Sequence, residues 1–91
     1  MKTLKDLEQM KTQNCLSFGT QYDSFIGRLE DCFVNKPDGL SQITSELSQW
    51  EDEAKKVIIP KLVEAIYNNG TTGLDKDEIT ARLRWSSYNA E

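Results

Sequence analysis

The sequence predicts an all-α protein: a small bundle of four helices, or five if the chain breaks at Pro60, built on an antiparallel helical hairpin within one domain spanning residues 1–91. Three observations carry this. Apolar residues recur at steps of three and four. No stretch alternates apolar and polar residues as a half-buried strand does. The periodic runs are separated by residues suited to caps and turns.

Leu4, Leu7 and Met10 fall on one face of a short helix over residues 2–14, leaving Lys2, Lys5, Asp6, Glu8 and Lys11 to water. "SFGT" then interrupts the pattern, with Gly19 as breaker and Ser17 and Thr20 as candidate N-caps. Tyr22, Phe25, Ile26, Leu29 and Phe33 set a continuous apolar stripe along a second helix at 21–35. "NKPDG" ends it: Pro37 drives Lys36 out of the helical region, and Asp38 and Gly39 supply turn chemistry for a tight reversal.

A third helix is expected from Leu40 or Ser41, with Ile43, Leu47, Trp50, Ala54 and Val57 alternating in steps of four and three as in a coiled-coil seam. Glu51 with Lys55 and Asp52 with Lys56 form i,i+4 pairs in the favourable acid-first order. Pro60 lacks an amide hydrogen and its ring crowds the carbonyl four residues back, so the long third helix should kink there, or else stop near Ile58 and restart. Leu62, Val63, Ile66 and Tyr67 continue the helical face until Asn69 and Gly70, which tolerate the left-handed C-cap conformation.

The last helix, over 76–85, is announced twice. Asp75 and Glu78 are spaced as a capping box, and Leu74 and Ile79 as a hydrophobic staple.

Composition narrows the function. Hydrophobic residues make up 37% of the chain while the mean hydropathy is −0.61, so apolar side chains must gather on faces to make a core. The formal charge is −4, with ten acids against five bases in residues 1–54 and five against six in residues 55–91. An acidic chain lacks the basic excess that displaces counterions from phosphates, so nucleic acid and anionic membranes are not expected partners. Neither a signal-peptide core nor a membrane-length apolar run is present, so a cytoplasmic location is expected.

With no histidine and two cysteines, the usual zinc sites and Cys/His nucleophiles lack a ligand or a base. Cys15 and Cys32 read as reduced, buried small side chains, the alternative being a disulfide between the first two helices. Asp75, Asp77 and Glu78 complement a helix dipole rather than ligate calcium. No catalytic residue, cofactor or metal is expected, and the chain is read as a non-enzyme.

Leu62 to Tyr67 followed by "NNGTTGLDKDEITARLRWSSYNAE" resembles the first two helices and following turn of helix-turn-helix and winged-helix domains. Glu78, Ile79, Leu83 and Ser86 fit the pattern that precedes the recognition helix, and Thr80 stands where a small residue is usual. The resemblance implies a DNA-binding regulator using residues 60–91, with Lys76, Arg82 and Arg84 toward phosphates. Arg84 departs from it by occupying the turn-glycine position, and about one turn of recognition helix follows.

The leading expectation is a non-enzymatic regulator or inhibitor of a larger protein or nucleoprotein, similar in type to short phage and mobile-element proteins. Two faces offer themselves to the partner. One is acidic, with Glu30, Asp31, Glu46, Glu51, Asp52 and Glu53 set against a basic surface. The other carries Arg82, Arg84, Trp85 and Tyr88, an arginine and aromatic combination enriched at interfaces. Trp50 is expected in the core, and a homo-oligomer is expected if the long helix exposes more apolar stripe than one chain covers.

Overall fold

The computed structural model describes residues 1–16 and 19–89, with side chains as far as Arg84. Among them are five helices, α1 (Leu4–Thr12), α2 (Gln21–Asn35), α3 (Gly39–Leu47), α4 (Asp52–Asn69) and α5 (Lys76–Asn89), and two short strands, β1 (Asn14–Cys15) and β2 (Gly19–Thr20). The all-α reading holds in this broad sense.

Helices α1 and α2 each begin with a capping box. Thr3 and Thr20 accept from the amides of Asp6 and Asp23, whose carboxylates reach back to the Thr amides. Each box satisfies amides that the first helical turn leaves without partners. Thr3 is therefore outside α1, and the helix is shorter than the expected 2–14. The break before α2 is not a plain loop either: Asn14 pairs with Thr20 and Cys15 with Gly19 in an antiparallel ladder, and Gly19 takes φ +85°, which a side chain disfavours. A two-residue ladder is too short to show alternation in the sequence.

Helix α2 ends as expected, with Lys36 extended at φ −105° and ψ 134° ahead of Pro37. The chain then reverses. The Cys32 thiol lies 3.3 Å from Gln42 Oε1, Arg28 is 3.0 Å from Glu46, and the rings of Phe25 and Trp50 lie 5.6 Å apart. Positions falling along α2 meet positions rising from 42 to 50, so the pair runs antiparallel.

The expected long third helix is two helices. Helix α3 closes with three-residue turns, Glu46 O to Gln49 N and Leu47 O to Trp50 N, and α4 starts at Asp52. The segment between them is held by the chain's first residues: the Lys2 amide donates to Gln49 O at 2.8 Å, and the Glu51 amide donates to Lys2 O at 2.9 Å. These bonds replace the helical ones at that point. Pro60 does not divide the chain. It sits inside α4, exposed, where its missing amide hydrogen affects only the Lys56 carbonyl.

The core joins Leu7 of α1, Tyr22, Phe25, Ile26 and Leu29 of α2, Ile43 and Leu47 of α3, and Trp50 between α3 and α4. Cys32 of α2, Ala54, Ile58, Ile59, Leu62, Val63 and Ile66 of α4 and Ile79 and Leu83 of α5 complete it. The stripes that suggested self-association are thus buried within one chain. Gly70, at φ +75°, caps α4, and the Asp75 carboxylate accepts from the Glu78 amide at 2.8 Å to start α5. Helix α5 continues to Asn89, past the expected end at 85. No described helix is long and apolar enough to cross a membrane.

Candidate functional site

The acidic face does not form as a free patch. Glu46 is only 18% exposed; it meets Lys2 at 3.5 Å and Arg28 at 3.0 Å and accepts from the Trp50 indole at 3.3 Å. Glu51 accepts from the Leu4 amide at 3.0 Å, satisfying a first-turn donor of α1 from the start of α4. Glu30 accepts from Asn69 and Asp31 from Asn35. Asp52 and Glu53 pair with Lys55 and Lys56 at i,i+3, in place of the expected i,i+4 pairs. Glu30, Glu46 and Glu51 thus tie segments of the fold together, while Asp31, Asp52 and Glu53 each meet a neighbouring side chain on their own helix. Asp31, Asp52 and Glu53 stand well into solvent, the last two at 72% and 69% exposure.

A cavity of about 480 Å³ beside this cluster is lined by Lys2, Asp6, Met10, Phe25, Arg28 and Trp50. Its cations are already placed: Lys2 lies over the Trp50 ring at 5.3 Å and Arg28 over Phe25 at 5.7 Å, and both reach Glu46. Cation, ring and carboxylate satisfy one another there.

The other face divides as well. Arg82 lines a small depression against Pro37, Asp38 and Leu40 at the turn between α2 and α3. Arg84 opens on the opposite side, as two residues' rotation on a helix requires. The side chains of Trp85 and Tyr88 lie outside the described residues.

Arg84 belongs to a groove of about 510 Å³ between α4 and α5. Residues at steps of four build both walls: Lys56, Pro60 and Glu64 beside Lys55, Ile59 and Val63 on α4, and Lys76, Thr80 and Arg84 on α5. Ile59 and Val63 are core residues at the bottom, and Pro60 is exposed above them. Four cations and one carboxylate therefore surround an apolar floor, on a protein of net charge −4.

Several of these cations are held by the scaffold. The Lys55 side chain is mostly covered, with its ammonium 3.8 Å from Asp52, while Lys56 lies 3.5 Å from Glu53. Lys76 lies 5.2 Å over the Tyr67 ring, fastening the start of α5 to the end of α4. Their sequence signal, two stripes at spacing four on helices that fold together, was available. It was divided between a set of intrahelical ion pairs and a resemblance to helix-turn-helix domains.

That resemblance fails at its turn. The backbone is helical at Arg84 and onward to Asn89, and no described non-glycine residue has positive φ. Both cysteines are free thiols, Cys15 half-buried on β1 and Cys32 buried on α2. No group of described side chains is arranged to hold a metal ion. Comparison with protein-family models, with curated proteins and with solved structures gave no match, so the reading of the groove rests on its own residues.

Proposed function

We propose that this chain is a small non-enzymatic protein that binds a larger protein or nucleoprotein and regulates or inhibits it, docking through the α4–α5 face. The observation that supports this is the groove: concave, floored by Ile59, Pro60 and Val63, and edged by Lys55, Lys56, Lys76 and Arg84. A groove of that size with a few polar groups converging on an apolar floor is where recognition usually concentrates. Trp85 and Tyr88 follow on the same helix, and we assign them to the interface because aromatic residues beside arginine are enriched in binding hot spots. We place the protein in the cytoplasm, where its two free thiols stay reduced.

The test compares two charge reversals in affinity purification of the tagged protein from its own host. A Lys76→Glu/Arg84→Glu variant should lose the partner recovered with the wild type. A Glu30→Lys/Asp31→Lys variant, altering acidic-face carboxylates whose partners Asn69 and Asn35 lie outside the groove, should keep it. The opposite pattern returns the interface to the acidic face and overturns the proposal.

A further inference from the structure

We propose that the groove takes an acidic polypeptide segment of the partner, with carboxylates on both edges of an apolar side chain. This rests on the reading of the α4–α5 face as the docking face and specifies what occupies it.

Charge complementarity is the first argument. Lys55 and Lys56 lie on the α4 wall, against Asp52 and Glu53 at its rim, and Lys76 and Arg84 on the α5 wall, with Glu64 the only acid among the described residues lining the groove. An occupant with carboxylates on two sides meets a cation on each. The second argument is the floor. Pro60 is exposed above Ile59 and Val63, and an apolar side chain of a polypeptide covers that floor, which a phosphate, held by the wall cations alone, does not.

The third argument is Glu64, the one carboxylate among the described residues lining the groove. It favours an occupant that brings N–H donors among its side chains or at its first turn, which a polypeptide has and a run of phosphates lacks. Long-range charge points the same way. The closely spaced charges of a nucleic acid respond to the net −4 of the whole molecule, whereas a few carboxylates respond chiefly to the local wall.

The probe is a short peptide carrying glutamates at helical i, i+3 and i+4 spacing around leucines, titrated into isotope-labelled full-length protein and followed by amide shifts. Shifts should gather at Lys56, Val63, Lys76, Thr80 and Arg84, and affinity should fall as salt is added. A Lys56→Glu/Lys76→Glu variant should bind at least about tenfold more weakly. A Lys5→Glu/Lys61→Glu variant, with the same net charge but changes at exposed positions outside the groove, should bind within about twofold of wild type. The same peptide with lysine for glutamate should not bind.

Three results overturn the proposal: no peptide binding, shifts elsewhere on the surface, or a random DNA duplex that occupies the groove while the peptide does not. If the peptide fails yet Lys76→Glu/Arg84→Glu still loses the host partner, the docking face stands and only its occupant was misassigned. If both fail, the docking face falls too.

Discussion

Around Trp50, charges of both signs converge until they satisfy one another: Lys2 and Arg28 each rest on an aromatic ring and meet Glu46, whose carboxylate also takes the Trp50 indole hydrogen. Along the α4–α5 groove, Lys55, Lys56, Lys76 and Arg84 line an open cleft in which Glu64 is the only carboxylate among the described residues. Local composition alone points the other way, since the first region lies in the strongly acidic part of the chain and the second in a nearly neutral part. Where opposite charges meet inside the fold, they join segments distant in sequence. Where cations line a concave apolar floor, even with Lys55, Lys56 and Lys76 held by Asp52, Glu53 and the Tyr67 ring, the cleft itself stays open to a partner. Substitutions in the first region should therefore change stability, and those in the second should change binding.

The largest effect is expected at Gly39, where α2 gives way to α3. A methyl group there would fall onto the backbone carbonyl of Cys32, with no flexible side chain to yield. Helix α3 would have to shift away from α2, displacing the pairings that end at Trp50. Gly39→Ala should cost about 3 kcal/mol, at the upper end of overpacking effects. Urea denaturation measures it, and a loss below about 1 kcal/mol would show that the two helices slide apart easily.

Glu46→Ala should come next. Its partners Lys2 and Arg28 are 48% and 63% exposed, so solvent weakens both ion pairs. The larger consequence is a part-buried indole N–H left without its acceptor. We expect about 1–2 kcal/mol. Glu46→Gln, which keeps an acceptor near Trp50, should recover more than half of the loss; equal losses would assign the effect to charge instead.

Tyr22, a buried core residue of α2 beneath Lys11 of α1, adds a test of stability by pH. Burial raises its phenol above the ordinary value, and the carboxylates of Asp23 and Glu8 add to the rise. The folded state thus holds the phenolic proton more tightly than the unfolded chain does. Its contribution is present below the unfolded value of about 10 and is lost as pH climbs through the folded one. Wild type should lose more stability between about pH 8 and pH 11 than Tyr22→Phe does, and the difference isolates the phenol from lysines that titrate nearby. Parallel losses would place the hydroxyl in water.

The same comparison explains what was legible in the sequence. The stripe from Tyr22 to Phe33 and the seam from Ile43 to Val57 were readable because periodic burial is a local property, and those residues are buried or partly buried. The break after Leu47 was not. Ile43, Leu47, Trp50 and Ala54 keep their spacing across it, and what interrupts the helix is the backbone of Lys2, distant in sequence and close only in the fold. Gly39 was noticed for turn chemistry, yet its φ is not positive and its necessity is steric, set by a carbonyl seven residues earlier. The bonding of the acidic face within the fold is hidden for a related reason. A one-dimensional count of carboxylates does not show that Glu46 and Glu51 bond segments far along the chain. The groove's two walls were each present as spacing-four stripes, but only the packing of α4 on α5 brings them together.

The smallest expected change in stability is in the groove. Lys76 is exposed, and its contact with the half-exposed Tyr67 ring is a surface cation–π pair worth about 0.5–1 kcal/mol. Replacing it also removes one of four cations gathered around the cleft, which relieves repulsion among them. The two contributions oppose each other, so Lys76→Gln should leave stability within about 0.5 kcal/mol of wild type, as most surface substitutions do. Paired with Glu46→Ala, it gives the sharpest contrast between the regions. The alanine variant should lower the urea midpoint while leaving acidic-peptide affinity unchanged, and the glutamine variant should lower affinity at an unchanged midpoint. A Lys76→Gln protein that unfolds as readily as Glu46→Ala would mean that the α5 lysine, too, serves the fold, leaving the groove as packing rather than as a surface awaiting its ligand.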